Sequence, residues 1–184
     1  MALSLSTIGV GATLKATQNN TIDGAGQTAS VQLGAAISDA ITSGTSANTA
    51  NRFWQDENRA LASGASENID VYDLAAIDIG GGAGRDALGQ LQTLAEIVAI
   101  MIKVEDASAG SLIIGGEGST AAWNSLFNAS DTSVLGPIKP GGFVLIHSPG
   151  DPAFAVADTS NHLLKLAASG GDVTYSIYLM GRDA

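Results

Sequence analysis

The sequence predicts a mainly β fold, an antiparallel β-sandwich or jelly roll with an extended N-terminal arm and at most one or two short helices. Three observations carry that expectation. Turn signals recur roughly every ten residues from Arg59 onward, the spacing of a sandwich or jelly roll. The segments between them alternate polar and apolar residues or run continuously apolar, the two patterns strands leave in sequence. The 23 glycines call for many tight turns, because Gly costs conformational entropy inside regular elements.

The chain divides into an arm, residues 1–50, and a sandwich domain, residues 51–184. The arm is rich in Ser, Thr, Ala, Gly and Asn, carries only Lys15, Asp23 and Asp39 as charges, and has no aromatic residue. Gln27–Ala36 reads as a strand and Ala35–Ile41 as a short helical turn. Neither buries enough surface to stand alone, yet Ile8, Val10, Leu14 and Ile22 are spaced apolar anchors. An arm that orders against a neighbouring subunit fits that pattern better than a floppy leader.

The domain then reads as about eight short strands. Arg59–Ala62 runs into the turn Ser63–Ser66, and Asn68–Leu74 alternates with period 2. Ile97–Val104, apolar but for Lys103, reads as a central strand buried on both faces. Ser111–Ile114 follows Ala109-Gly110. Val134–Ile138 meets Lys139-Pro140-Gly141-Gly142, where Pro140 presets φ and Gly141 takes the positive φ of a type II turn. Phe143–Ile146, Phe154–Val156, His162–Leu166 and Val173–Leu179 complete the series. Asp86–Glu96 is the one good helix candidate.

Charge and composition exclude several function classes. The formal charge is −10 with eight Lys and Arg in all, which disfavours nucleic-acid binding and docking on anionic lipid. The acidity reads as solubility and mutual repulsion between free copies. With no cysteine, disulfides, thiolate metal sites and thiol catalysis drop out. Met1–Ser6 lacks the basic start of a secretory signal, and Ile97–Ile102 is too short to cross a bilayer. The expected product is made in a cytoplasm and stays soluble.

One motif competes with this reading. Gly82, Gly84 and Ala87 form a G-x-G-x-x-A string between a short apolar segment and the candidate helix, and Glu105-Asp106 stands where a dinucleotide fold places its ribose-binding acid. Three features oppose a nucleotide-binding enzyme at Gly80–Gly84. Asp78 interrupts the would-be first strand, the helix is short for a crossover, and nothing after residue 107 repeats a strand–helix alternation. No cofactor, metal site or catalytic residue is therefore expected. His147 and His162 have no ligand spacing, and the Asp56-Glu57 and Glu105-Asp106 pairs read as solvated charge. Phe53, Trp54, Trp123 and Phe127 are the large aromatics among small residues. Each reads first as a local core anchor and second as a subunit contact.

The second half resembles small tailed-phage virion proteins, some of them head decoration or cement proteins. Arg59–Asp70, Val134–Gly142, Ala157–Leu166 and Val173–Gly181 carry the likeness, which spans roughly residues 55–184, framed by these strands and turns. It implies a non-catalytic, jelly-roll-like module of a virus particle in a closed oligomer, a homotrimer. Its partners would be itself and the major capsid protein or other virion proteins. A tail- or fibre-associated module recognising a host-surface glycan is the alternative the same sandwich allows. The contact residues expected on this reading are Ile8, Val10, Leu14 and Ile22 of the arm, with Phe53, Trp54, Trp123 and Phe127.

Overall fold

The computed structural model describes residues 8–22, 27–74 and 93–183. The chain is mainly β with antiparallel sheets. In chain order the strands are β1 (Ile8–Ile22), β2 (Gln27–Ser43), β3 (Thr49–Ala50), β4 (Arg52–Leu61), β5 (Ser66–Asp70) and β6 (Glu96–Val104). They continue as β7 (Ser111–Gly115), β8 (Val134–Ile138), β9 (Phe143–His147), β10 (Phe154–Ala155), β11 (Leu163–Ser169) and β12 (Val173–Arg182). A 3-10 turn at Ser125–Phe127 lies on the β7–β8 connection. Gly80–Gly84 and nearly all of the Asp86–Glu96 helix candidate lie outside the described residues. At the described end of that segment, Thr93 bridges Asp73 and Glu96 opens β6.

Two sheets enclose one core. The first has the order β4-β12-β6, with β9 and β10 both paired to β6; the second has the order β5-β11-β7-β8. The pairing is nested: β7 with β8, β6 with β9, β5 with β11 and β4 with β12, all antiparallel. The chain thus folds as one long hairpin whose outer pairs enclose its inner ones, wound over two sheets. Trp54, Ile100, Ile102, Tyr175, Ile177 and Leu179 from the first sheet meet Ile69, Leu112, Ile114, Leu164 and Leu166 from the second in a single buried cluster.

Most elements follow from their residues. β6 is central and buried on both faces over Ile97–Ile100. From Met101 onward burial alternates, with Ile102 and Val104 inside and Met101 and Lys103 partly exposed on the outer face, so full two-sided burial holds for only part of the strand. The Lys139–Gly142 turn closes with Gly142 N–H donating to Lys139 O at 2.8 Å. Gly141 sits at φ +76°, and a Cβ there would collide with the Asp106 carboxylate. β5 stops at Asp70 because its carboxylate accepts from the backbone N–H of Tyr72 and Asp73 at 3.0 and 2.9 Å, an Asx-type turn.

Two expectations need correction. Ala35–Ile41 is not a helical turn. It is the second half of β2, held by an unbroken fifteen-pair register against β1 that runs from Ile8↔Ile41 to Ile22↔Gln27; that ladder outweighs a weak local preference. β4 also starts seven residues before Arg59. A register shift opposite Tyr175/Ile177 and the positive φ of Asn58 break its alternation.

Charges close one side of the sandwich. The buried Tyr175 hydroxyl donates to Glu67 Oε1 at 2.7 Å, and Arg59 Nε donates to the Tyr175 oxygen at 3.1 Å. Arg59 also pairs with Glu67 and Asp56, so β4 and β12 of one sheet are tied to β5 of the other. Burial, and then the bond to Glu67, push the Tyr175 pKa well above its ordinary 10.0. Between those two values the unfolded chain loses the phenol proton while the folded chain keeps it. This contribution is therefore complete below about pH 10 and fades as pH rises above it. Tyr175→Phe is expected to flatten the fall of melting temperature above pH 10. Tyr178, raised chiefly by its bond to Glu57, contributes less because it is more exposed, and Tyr178→Phe serves as the comparison. Equal alkaline slopes in wild type and Tyr175→Phe would count against the assignment.

Candidate functional site

The β1–β2 ribbon is the feature the sandwich does not need. Fifteen cross-strand pairs at about 3.4 Å per residue make it roughly 50 Å long. A lone two-stranded ribbon is marginally stable in water, so its described surface shows what it lacks. Register places Val10, Ala12, Leu14 and Ala16 on one face with Asp39, Ile37 and Ala35. The opposite face carries Gly9, Gly11, Thr13 and Lys15 against Ala40, Ser38, Ala36 and Gly34. One face is apolar apart from Asp39 at the base; the other carries small residues with Thr13, Ser38 and Lys15. Leu14 is 79% exposed and Ile37 73%.

The base of the ribbon is fastened to the outer face of the first sheet. Ile41 and Ala50 are buried with Val98, Ala99 and Met180, and Val10 packs against them as a second, smaller core. The His147 ring bridges Asp39 Oδ2 at 3.0 Å and Val98 O at 3.2 Å. Asn48 N–H donates to Pro149 O at 2.8 Å. Arg182, 1% exposed, donates to Ser46 O at 2.7 Å and to Gly150 O, and its Nε lies 3.1 Å from Glu96 Oε2.

Next to this base the outer face is open and apolar. Cross-strand register lines up Gln55, Tyr178, Met101 and Leu145 in one row, and Phe53, Met180, Ala99 and His147 in the next. A groove of about 200 Å³ lies between these rows and the ribbon at Gly9–Gly11. Phe53 is 41% exposed, and Phe143, further along the same face, is exposed as well. Polar groups take over beyond Tyr178: Glu105 accepts from Ser176 at 3.0 Å and pairs with Lys103 at 2.7 Å.

The sequence-predicted contact residues fall into three groups. Val10, Leu14 and Phe53 lie on the ribbon face or at the groove. Ile8 and Ile22 are placed in β1 only by their backbone. Trp54 and Trp123 are buried in the chain's own core, 2% and 1% exposed, with Phe127 half-buried against it. These three aromatics serve as core anchors, and the two tryptophans present no surface to a neighbour. Sequence reasoning missed Ile37, Met101, Leu145 and Arg182. Ile37 was legible in principle, because Asp23-Gly24-Ala25-Gly26 is hairpin-turn chemistry and folding the chain there sets Ile37 beside Leu14.

Elsewhere the polar groups make structural bonds. His162 lies 3.9 Å from Asp70, Glu57 accepts from Tyr178 at 2.7 Å, and Asp56 pairs with Arg59. Among the described residues no three His, Asp or Glu side chains converge on a metal-sized site. No family model, curated protein or solved structure matches the chain.

Proposed function

We propose that this chain is a non-catalytic structural protein of a virus particle, a head decoration or cement protein that reinforces a shell through subunit contacts. The observation that carries the reading is the ribbon, with Leu14 and Ile37 held out to solvent on one apolar face. Exposed apolar surface of that shape marks a protein contact. Three features support it. The nested strand pairing agrees with a jelly roll, the module that the likeness to tailed-phage virion proteins implies. The ribbon then acts as the N-terminal arm, reaching the chain's own copies in a closed homotrimer and the major capsid protein beneath. The acidic charge, concentrated outside the arm, keeps free copies apart until they meet the lattice.

The test combines location with the arm. Antibody labelling of purified particles is expected to decorate the head; label confined to the tail, or absence from particles, would overturn the reading. Changing Leu14 and Ile37 together to Ser is expected to shift folding stability by no more than about 0.5 kcal/mol, as for exposed positions. Head occupancy at equal protein concentration should fall strongly. Unchanged occupancy would mean that the arm is not the attachment device.

A further inference from the structure

The chain carries two unmatched apolar surfaces that adjoin one another. One is the ribbon face of Ala12, Leu14, Ala35 and Ile37. The other is the groove on the first sheet, lined by Phe53, Met101, Leu145, Tyr178 and Met180. At the ribbon base these same two surfaces already meet within one chain, where Val10 and Ile41 pack on Val98, Ala99 and Met180. Val10 and Leu14 share a ribbon face, and Met180 and Met101 share a sheet face. The contact stops where the ribbon leaves the body. Gly9–Gly11 form one wall of the groove, but Gly11–Ala16 and Gly34–Ser38 are exposed, so the apolar face of Ala12, Leu14, Ala35 and Ile37 does not cover it.

We infer that the groove of one copy receives the apolar arm face of a second copy. The inference rests on the assembly reading above and names the surface involved. Extending the base contact onto a neighbour keeps its chemistry, aliphatic ribbon side chains on the same two rows of the sheet. Charge favours the arm over any other part of the chain as the occupant. The sandwich domain holds nearly all the acidic residues, whereas the arm carries Lys15, Asp23 and Asp39. Two domains repel each other, and a nearly neutral ribbon approaches either one without that cost. Arm into groove is a head-to-tail contact, which yields a closed ring when the rotation per copy closes.

The absence of cysteine makes crosslinking selective. Full-length Leu14→Cys and Phe53→Cys chains, carrying different tags, are mixed and mildly oxidised. A disulfide joining the two differently tagged chains is expected. Asn68→Cys, on the second sheet, replaces Phe53→Cys as the control and should give about tenfold less of the mixed product. A second measurement needs no crosslink. Phe53→Lys should weaken self-association in sedimentation by about tenfold or more, the scale of one large apolar contact. Crosslinking of Leu14→Cys only to itself would mean that arms pair with arms, and would overturn the inference. A wild-type chain that remains an 18.4 kDa monomer at high micromolar concentration would overturn it too. An oligomer without the mixed disulfide removes the docking and leaves the assembly reading standing. Absence from particles removes that reading and leaves the docking untouched.

Discussion

Trp123→Ala is expected to cost about 3–5 kcal/mol of folding stability, the range for truncating a fully buried Trp. Trp123 lies on the β7–β8 connection, which has no long strand of its own and is fixed by what it buries. Its ring meets Phe154 edge-on, with centroids 6.2 Å apart and planes at 87°. Its indole N–H donates to Ala155 O at 3.0 Å, and its backbone N–H to Leu163 O at 2.8 Å. The side chain therefore pins the connection to β10, while the backbone N–H, which the substitution keeps, ties it to the start of β11. Ala155 O also accepts from Ser125 at 2.7 Å and from Asn161 at 2.8 Å, so truncation leaves no orphaned acceptor and the loss is mainly packing. Urea unfolding of Trp123→Ala checks the magnitude. Trp54 gives a built-in contrast, because its indole N–H has no partner among the described residues. Trp54→Phe should therefore cost less than Trp123→Phe by about 1 kcal/mol, the net worth of one hydrogen bond. Equal losses would show that the Trp123–Ala155 bond contributes nothing.

How far the sequence could be read depended on whether the physical signal was local. β6, β12 and the Lys139–Gly142 turn were legible as elements because each follows from its own residues: a mostly apolar run, alternation, and a Pro-Gly pair at the required positions, although β6 is buried on both faces only over Ile97–Ile100. β4 was read only from Arg59 because Gln55–Asn58 is polar, as suits a strand at the end of its sheet order, and a register shift disturbs its period. The small-residue stretch Ala35–Ile41 has little propensity of its own, and its strand exists through pairing with β1. The spacing of Val10 and Leu14 was visible in the sequence, and register places both on one face of the ribbon. The groove was not visible, since Phe53, Met101, Leu145 and Tyr178 come from four strands that only the nested topology brings together. Arg182 left no sequence signal either. A lone arginine at the end of an apolar strand looks like a solubilising charge until its partners appear.

Arg182→Met is expected to cost about 3 kcal/mol, the lower end of the range for breaking a buried ion pair by removing one partner. The lower end applies because the Glu96 side chain remains 21% exposed, so water partly compensates its lost cation. The larger consequence concerns the base of the β1–β2 ribbon. Arg182 holds Ser46 O on the β2–β3 loop and Gly150 O on the loop after β9, so it joins the ribbon base to the body from the far end of the chain. Without it Gly150 O loses the Arg182 donor, while Ser46 O still accepts from the Thr49 hydroxyl at 2.6 Å and the Thr49 backbone N–H at 3.2 Å. The loop loses a bond that helps hold Ile41 and Ala50 against Met180. Adding Glu96→Gln to Arg182→Met should recover part of the loss by removing the stranded carboxylate, but it cannot restore the two carbonyl bonds. The double variant should therefore melt above the single variant and below wild type. Backbone exchange should rise at residues 44–50 in both, while the β7–β8 connection stays protected. Full recovery in the double variant would reduce Arg182 to a counter-ion for Glu96. Unchanged exchange at residues 44–50 would mean that the ribbon base is held by its apolar contacts alone.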